Sequence, residues 1–334
     1  MYNLNSLFTS DNIFLYGCAR HAFKVSLQLL NLNRDDTVLM PSFICRDLLS
    51  SIYENNLRIK FYSVNKNLEP EYLPVDSNIK AVLAVNYFGF PQDLEIFRTY
   101  CKKNNCILIE DNAHGFLSFD QEGTELGRRT NIGFTSFRKI VPVFDGSALF
   151  INDYKIQKSK FLKLSPSDAR LPFRFILKKF ARLIQRNMNI PLIIYLEDLS
   201  RLMRLLLTGS RIPKPLKSAE KIIGRPINIH SSSIATLKQL AATLDEERKR
   251  RRNLYVKFLE ILEDYEVELI FSKLIDNVSP YGLPFIDNSN NIIGIKRIAR
   301  ENGFTCEKWP DLPISIISSC PDFYKNIYFI DFLE

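Results

Sequence analysis

Residues 107–114 read Ile107-Leu108-Ile109-Glu110-Asp111-Asn112-Ala113-His114, and this stretch decides the fold class. The apolar run predicts a buried β-strand, and the polar residues that follow lie at the carboxyl end of that strand. Ligands of open α/β sheets bind just outside the carboxyl ends of strands, so a functional acid is expected here. An acid in such a position also serves as a helix N-cap or as the partner of a cation, and this alternative stays open.

The chain on both sides of this stretch alternates between short β-rich runs and stretches of helical period. The other β-rich runs are 37–41, 59–64, 81–87 and 148–151, and the helical stretches are 22–30 and 94–103. Alternation of this kind predicts a mainly parallel sheet that is covered by helices on both faces. The expected fold class is therefore α/β.

Farther along, the character of the chain changes. Residues 155–222 are rich in Lys, Arg and Leu, with helical stretches at 173–186 and 192–207. A long amphipathic helix is predicted over 231–264, followed by short strands at 268–271 and 282–285 and a helix near 291–301. We predict three parts from these changes, namely a large domain over 1–154, a basic helical insert over 155–227 and a smaller α+β domain over 228–334.

Composition and charge exclude several classes of protein. With 334 residues, 46% of them hydrophobic and 25% charged, the chain can bury a large core, which excludes wholesale disorder. The net charge of +8 is local, because residues 155–225 hold 17 Lys and Arg against four acids, an excess of +13 that leaves about −5 elsewhere. This segment lacks the interleaved aromatic residues that stack on bases, so no nucleic-acid partner is expected.

Cysteine, histidine and hydropathy patterns indicate a metal-free protein of the cytoplasm. The six cysteines are scattered without a C-x-x-C pair, and the three histidines are too dispersed for a metal motif. Free thiols fit the reducing cytosol. No apolar run approaches the ~20 residues that span a bilayer, and the first residues lack the basic region of a signal peptide. We expect a soluble or peripheral chain.

A second strand end carries polar groups that complement the first. No G-x-G-x-x-G or G-x-x-x-x-G-K-[ST] motif is present, but Gly133-Phe134-Thr135-Ser136-Phe137-Arg138-Lys139 ends an apolar run with a hydroxyl and two cations. A lone lysine at such a place is usually a surface charge. Together with Asp111, however, the set meets the needs of pyridoxal phosphate, which are a Schiff-base lysine, an acid for the ring nitrogen and donors for the phosphate. The turn at 17–22 leads into a helix whose N-terminal amides suit that phosphate.

Several stretches together resemble the DegT/StrS family, the pyridoxal-phosphate-dependent nucleotide-sugar aminotransferases with the fold of aspartate aminotransferase. They are Tyr16–Ala22 in place of the Ser-Gly-Thr-x-Ala turn, Asp35–Phe43, Val82–Pro91, Glu110–His114 and Ile132–Lys139. Further similarity covers Arg250–Tyr255 and the turn at Trp309. The resemblance implies the fold type I architecture, with a mainly parallel large domain and a smaller α+β C-terminal domain.

The resemblance also implies which residues form the site. Lys139 and Asp111 are expected to be catalytic, with the lysine holding pyridoxal 5′-phosphate and the aspartate pairing with its ring nitrogen. The cofactor-binding set is completed by His114, Ser136, Cys18, Ala19 and Asn228. Asn228 matches a segment that reaches into the site of the partner subunit. No metal site is expected.

The implied function is that of a homodimeric aminotransferase. It would move an amino group from an amino-acid donor such as glutamate to a nucleotide-linked keto sugar, for cell-surface glycans or secondary metabolites. Two alternatives stay open. One is a sugar dehydratase with the same cofactor, although those relatives tend to carry His where Lys139 stands. The other is a binding or regulatory subunit that has lost catalysis, because Lys139 lies two residues nearer Ser136 than usual and Cys45 replaces a common aromatic residue.

The basic insert raises the question of location. Between residues 173 and 207, apolar side chains recur at helical spacing while Lys and Arg fill many of the other positions. Such helices are expected either to pack on the core or the dimer partner, or to lie on an anionic membrane surface. The second alternative predicts a peripheral contact through 173–207 at the inner face of the membrane.

Overall fold

The computed structural model describes most of the chain. The β-structure of the described residues consists of two sheets with eleven strands in total. These residues are 4–156, 164–173, 175–177, 180, 181, 184, 192–208 and 220–333. Within these ranges, no helix combines the length and hydropathy needed to cross a membrane. The same residues contain no group of three or more His, Cys, Asp or Glu side chains placed to hold a metal ion.

The large sheet is mixed, with a parallel centre. Its strands are β1 (Ile13–Tyr16), β2 (Thr37–Pro41), β3 (Arg58–Tyr62), β4 (Ile79–Val85), β5 (Ile107–Asn112), β6 (Ile132–Ser136) and β7 (Ser147–Ile151). They lie in the order β1-β7-β6-β5-β4-β2-β3, in which β2 to β6 are parallel while β1 and β7 pair antiparallel. The central strands β4 and β5 are almost entirely buried, which explains why they are apolar runs rather than alternating sequences. The predicted α/β class with a mainly parallel sheet is confirmed.

Helices cover the large sheet through their apolar faces. They are α1 (Ser6–Thr9), α2 (Ala19–Leu29), α3 (Leu49–Tyr53) and α4 (Glu95–Asn104). Helix α2 packs on the sheet through Phe23, whose ring centroid lies 5.4 Å from that of Phe134. Helix α4 buries Phe97 and Tyr100, three residues apart, and is closed by Asn105 in the left-handed conformation with φ 50°.

A smaller antiparallel sheet follows the basic insert. Its order is β10-β11-β9-β8, with strands β8 (Glu268–Leu269), β9 (Gly282–Ile286), β10 (Thr305–Lys308) and β11 (Ile327–Asp331). The helices of this half are α5 (Leu192–Thr208) within the insert, then α6 (Ser231–Leu240), α7 (Leu244–Leu262), α8 (Ile292–Glu301) and α9 (Ile314–Ile317). Short 3-10 turns occur at Arg46–Leu48, Tyr87–Gly89, Phe137–Lys139, Ala241–Thr243 and Asp322–Asn326.

The second half of the chain differs from prediction in two places. A single long helix over 231–264 is wrong, because a 3-10 turn separates α6 from α7. In that turn Thr243 Oγ1 donates to the Leu240 carbonyl oxygen at 3.1 Å, a side-chain bond that competes with the regular helical ladder. Strands β10 and β11 have no counterpart among the predicted elements. Helix α5 confirms the predicted helix at 192–207, whereas the one at 173–186 lies largely outside the described residues.

An aromatic junction joins the ends of the two sheets. Phe43, just after β2, lies 4.8 Å from Tyr324 and 5.3 Å from Trp309, measured between ring centroids. The Tyr324 hydroxyl accepts the N–H of Val64 at 2.9 Å, and Phe88 lies 5.2 Å from Trp309. The junction therefore places Trp309 at the carboxyl ends of the central parallel strands. The boundaries proposed for the three parts of the chain stay a prediction.

Candidate active site

A cleft opens at the carboxyl ends of β4, β5 and β6, between the start of α2 and Trp309. Six of the seven site residues predicted from the sequence line this cleft. They are Cys18, Ala19, Asp111, His114, Ser136 and Lys139. The other lining residues are Arg20, Ile44, Cys45, Asp47, Leu48, Val85, Asn86, Ala113, Phe134, Arg138 and Trp309. Groups from three separate motifs thus meet in one place.

Asn228 does not line this cleft. Its side-chain amide donates to the Leu164 carbonyl oxygen, and its Oδ1 accepts the N–H of Ile229 at 2.7 Å. A residue that is expected to reach the cleft of the partner subunit would not line the cleft of its own chain. Its assignment to the cofactor site therefore stays a prediction.

Asp111 provides the buried acid of the cleft. Only 5% of its surface is exposed, and its Oδ1 accepts the N–H of Ala113 at 2.9 Å. Burial raises the pKa of Asp111 to about 6, although the Ala113 hydrogen bond and the charge of Lys139 act in the opposite direction. A carboxylate that is costly to keep ionised is suited to pair with a cation brought into the cleft, and such a cation would lower its pKa again.

Glu110, the neighbouring acid, has a different role. It is fully buried, and its Oε1 lies 2.7 Å from Arg129 Nη2 and accepts a hydrogen bond from Asn86 Nδ2 at 2.8 Å. Arg129 also donates to Asn86 Oδ1 at 2.8 Å, which closes a small network below the strand ends. Successive side chains of a strand point to opposite faces, so only one of two adjacent acids can reach the cleft.

Lys139 and His114 form the central contact of the cleft. Lys139 Nζ lies 2.7 Å from His114 Nε2, and the N–H of Phe88 donates to His114 Nδ1 at 3.2 Å. With Nδ1 as the acceptor, the neutral ring carries its proton on Nε2, and this tautomer pairs with the neutral form of the lysine amine. Burial, with a contribution from Arg138, lowers the pKa of Lys139 to about 8, against opposing effects from Cys45 and Asp111. The neutral form of the amine therefore predominates above about pH 8.

Three aromatic rings enclose His114. The ring centroids of Tyr281, Trp309 and Phe88 lie 4.6, 4.9 and 5.5 Å from its own. Burial and the charge of Lys139 lower the pKa of His114 well below its ordinary value, so the ring stays neutral. Phe88 has φ 53°, a left-handed conformation that costs about 1–3 kcal/mol in a residue with a side chain. Its N–H bond to His114, and its carbonyl oxygen, which accepts the N–H of Tyr281 at 2.8 Å, hold that conformation.

The start of α2 and the ends of β6 and β7 offer hydrogen-bond donors to an anion. Within the described part of the chain, the N–H groups of Ala19 and Arg20 in the first turn of α2 have no acceptor. Ser136 lies on the cleft wall, and Ser147, its cross-strand neighbour, has a buried hydroxyl without a partner among the described residues. A helix N-terminus beside free hydroxyls suits a phosphate group.

Cys18 precedes this helix and has an unusual thiol. Burial raises the pKa of Cys18, but the hydrogen bond to His21 and the charge of Arg20 outweigh burial and bring the pKa down to about 7. The protonated thiol can donate to a phosphate, whereas the thiolate would repel one. Without a bound anion, the thiol is therefore the main form below about pH 7, and a phosphate placed beside it would favour that form.

The sequence analysis did not place Phe88, Tyr281 or Trp309 in the site. Phe88 and Trp309 lie within stretches of family likeness, Tyr281 lies outside those stretches, and none of the three carries a group that reacts. Their role depends on contacts with His114 that join distant parts of the chain. The local signal in the sequence is Gly89, a residue typical of turns, and in the structure it has φ 89°.

Residues 16–170 match the sequence model of the DegT/DnrJ/EryC1/StrS aminotransferase family. This part, somewhat less than half of the chain, is similar to that family. The matched region contains the start of α2, the cleft acid Asp111 and the turn that bears Lys139. The resemblance inferred from the sequence is therefore confirmed.

A curated relative and several solved structures resemble the chain. The relative, a dTDP-4-dehydro-2,3,6-trideoxy-D-glucose 4-aminotransferase from Saccharopolyspora spinosa, is 27% identical over 139 residues. The match covers 40% of this chain, and the chain spans only 36% of the length of that relative. An aminotransferase from Psychrobacter cryohalolentis has a TM-score of 0.65 at 14% identity, covering 96% of this chain and 82% of that chain. The aminotransferase TlmJ from Streptoalloteichus hindustanus has a TM-score of 0.63 at 17% identity, covering 96% and 80%.

These similarities confirm the fold type I architecture and indicate the cofactor. A GDP-4-keto-6-deoxy-D-mannose-3-dehydratase from E. coli, solved with hydrated PLP, has a TM-score of 0.62 at 15% identity and covers 96% of this chain and 82% of that chain. The family match supports the cofactor that the sequence resemblance implied, pyridoxal 5′-phosphate. The cleft fits that group, because it offers an amine, a buried carboxylate and unsatisfied donors where the phosphate would lie.

We expect Lys139→Ala to abolish covalent capture of added pyridoxal phosphate, since Lys139 is the only lysine lining the cleft as described. The measurement is the absorbance band near the violet edge that borohydride removes. In the unaltered protein, capture is expected to increase as the pH rises through about 8, because the neutral amine is the form that reacts. Lys60→Ala, which removes a lysine paired with Asp76 outside the cleft, is the control. An unchanged band in Lys139→Ala would reject the assignment.

Proposed function

We propose that this chain is a pyridoxal-phosphate-dependent aminotransferase acting on a nucleotide-linked keto sugar, with an amino acid, most simply glutamate, as the donor. The observation that carries the proposal is the amine of Lys139, which lies 2.7 Å from His114 Nε2 in a cleft that also contains Asp111. The products would serve polysaccharide biosynthesis or secondary-metabolite sugars.

The same contact weighs against the two alternatives. A dehydratase of this family tends to carry His at the position of the lysine, whereas this chain keeps Lys139. A subunit without catalysis would have no need for a buried amine with a lowered pKa. Although Lys139 lies two residues nearer Ser136 than is usual, its side chain still reaches His114. Trp309 lines the cleft, which supports an aromatic wall despite Cys45.

Each polar residue of the cleft then has a task toward the cofactor. Lys139 would hold it covalently, Asp111 would pair with its ring nitrogen, and the first N–H groups of α2 with Cys18 and Ser136 would bind its phosphate. Pyridoxal phosphate supplies an electron sink for the substrate carbon that loses a proton. The protein supplies orientation and the proton carrier.

The proton carrier is the amine of Lys139. In its neutral form Nζ can accept a proton from the substrate carbon and return it to another atom, and a pKa of about 8 lies near the working range for such an acid–base group. In the tautomer with its proton on Nε2, His114 donates to the neutral Nζ and so orients its lone pair. The rings of Tyr281 and Trp309 exclude water from this contact.

Substrate charge is matched at the mouth of the cleft. Arg20 and Arg138 line it, and Arg20 pairs with Asp47 at 3.0 Å. Among the described residues, no acid forms an ion pair with Arg138. Nucleotide sugars and amino-acid donors are both anions, so these cations support that substrate class.

We expect Asp111→Asn to keep the cofactor but to lose aminotransfer by roughly 10²–10³-fold. A neutral amide cannot keep the ring nitrogen protonated, and breaking a buried ion pair costs about 3–5 kcal/mol. The rate is measured with pyridoxal phosphate bound and a keto-sugar nucleotide as acceptor. Asp35→Asn, which alters an exposed acid paired with Arg58, serves as the control. A rate close to that of the unaltered protein would reject the role of Asp111.

We further propose a homodimer, in which Asn228 contributes to the cleft of the partner subunit. The support is the position of Asn228 outside its own cleft and the dimeric habit implied by the family. An obligate interface of this kind buries more than about 2,000 Å². The mass of one chain is 38.8 kDa. Light scattering at micromolar concentration is expected to give twice this mass. A monodisperse and fully active monomer would contradict the proposal.

A third proposal concerns location, namely that the protein is cytoplasmic and contacts the inner face of the membrane through 173–207. Helix α5 exposes an apolar stripe, with exposed fractions from 48% to 79%, consisting of Tyr195, Leu199, Leu202, Met203, Leu206 and Leu207. Phe173, Ile176 and Phe180 are also exposed. The surrounding sequence, residues 155–225, has an excess of +13 charges. Two such segments would repel each other, whereas an anionic lipid surface would attract one, by about 1 kcal/mol for each cation near it.

Flotation with vesicles tests this contact. Binding is expected with vesicles that contain phosphatidylserine, and it is expected to fall with salt and to disappear in Leu206→Glu. Ile293→Glu, at an equally exposed apolar residue of α8, is the matched control and is expected to bind normally. Absence of flotation at low salt would eliminate the membrane contact. A smaller oligomer in Leu206→Glu would assign the stripe to a second copy of the chain instead.

A further inference from the structure

Arg251, on helix α7, is the largest side chain that is completely buried in the described part of the chain. Arginine is almost never fully buried unless its donors are paired, because its guanidinium keeps its charge. Here Nε donates to Glu247 Oε1 at 2.7 Å, Nη1 donates to the carbonyl oxygens of Pro280 and Tyr281 at 3.2 and 3.1 Å, and Nη2 donates to the Ile140 carbonyl oxygen at 2.8 Å. The buried charge is thus spread over one carboxylate and three backbone carbonyls.

The carbonyls belong to two segments that each adjoin the reacting amine. Ile140 directly follows Lys139, at the end of the 3-10 turn Phe137–Lys139. Tyr281 stacks on His114, and Lys139 Nζ lies 5.5 Å from the centre of the Tyr281 ring. One guanidinium therefore links the turn that carries the lysine to the aromatic wall that holds its hydrogen-bond partner.

We propose that Arg251 is a positioning residue that fixes the geometry of Lys139 against His114. The catalytic importance of this role rests on the proposed function. The contact between Lys139 and His114 itself is present without substrate. A 3-10 turn of three residues has few internal hydrogen bonds, so its last carbonyls need donors from elsewhere. The planar fork of arginine supplies several donors in a fixed arrangement, which a lysine ammonium cannot reproduce.

Arg251 acts through the backbone and does not meet the substrate. It has no exposed surface and is absent from the walls of the cleft. Its loss is therefore expected to change the orientation and protonation of Lys139, and with them the turnover rate, while substrate binding stays nearly the same. This separation distinguishes a positioning residue from a substrate-binding one.

Arg250 offers a matched control on the same helix. It also pairs with Glu247, through Nε and Nη2 at 2.8 Å each, and it donates to the Phe332 carbonyl oxygen at 2.7 Å. These three hydrogen bonds reach neither Ile140 nor Tyr281. Arg250→Lys therefore weakens the same ion pair and leaves the links to the cleft in place.

The test compares Arg251→Lys with Arg250→Lys in the full chain. Modification of Lys139 by trinitrobenzenesulfonate is followed by peptide mass spectrometry from pH 6 to 11, without cofactor, and reports the protonation of the amine. The labelling midpoint is expected near pH 8 in the unaltered protein and in Arg250→Lys, and to move by about one pH unit or more in Arg251→Lys. With cofactor and substrates, kcat is expected to fall about tenfold or more in Arg251→Lys with little change in KM, because several charge-assisted hydrogen bonds are lost.

Equal midpoints and equal kcat in folded Arg251→Lys and Arg250→Lys would overturn the proposal. If Arg251→Lys does not fold, Arg251→Gln, whose amide still donates to one carbonyl, is measured in the same way. Failure of both to fold while Arg250→Lys folds would make Arg251 a stability residue only and would also overturn it. A shifted labelling midpoint in a protein without aminotransfer activity would instead reject the proposed function and keep the role of Arg251.

Discussion

The removal of water from one lysine amine is the constraint on which the rest of the site depends. An ammonium group in bulk solvent is protonated up to a pH near 10, and only burial brings the pKa of Lys139 to about 8. Burial of the amine in turn requires walls that offer no negative charge in direct contact. The rings around His114 provide them, and His114 adds an N–H that favours the neutral amine. The strained backbone of Phe88 is explained by the same requirement, since it aims an N–H at the other ring nitrogen.

The two halves of the chain divide this work. The parallel sheet supplies the groups with chemistry, because the carboxyl ends of adjacent strands bring Asp111, Ser136 and Lys139 together. The second half supplies no reacting group to the described cleft, but it contributes the rings of Tyr281 and Trp309 that keep the amine dry. Arg251 then connects the two halves at the backbone. Loosening of the contact between the halves is therefore expected to alter the lysine before it alters the sheet.

The groups that the first half of the chain contributes to the cleft could be predicted from the sequence, whereas most contacts made by the second half could not. Strand ends can be recognised locally, since an apolar run followed by polar residues marks them, and Asp111 and Lys139 were found in that way. The contact between His114 and Tyr281 joins residues far apart in the chain and leaves no periodic signal. The break between α6 and α7 was missed for a different reason, because the bond from Thr243 to Leu240 competes with a helical pattern that is otherwise continuous. Asn228 lies outside the cleft of its own chain, so a single chain leaves its role as a proposal.

The pair of acids that ends β5 shows how a strand separates structure from chemistry. Glu110 and Asp111 are adjacent and both buried, yet the alternation of side chains sends them to opposite faces. Glu110 meets Arg129 and Asn86, so its charge is compensated within the protein. Among the described residues, Asp111 receives one side-chain hydrogen bond, from the backbone of Ala113, and forms no ion pair, and burial raises its pKa. The carboxylate of Asp111, whose charge is incompletely compensated, is the one that faces the cleft. A cationic ring nitrogen placed there would compensate this charge, as the guanidinium of Arg129 compensates that of Glu110.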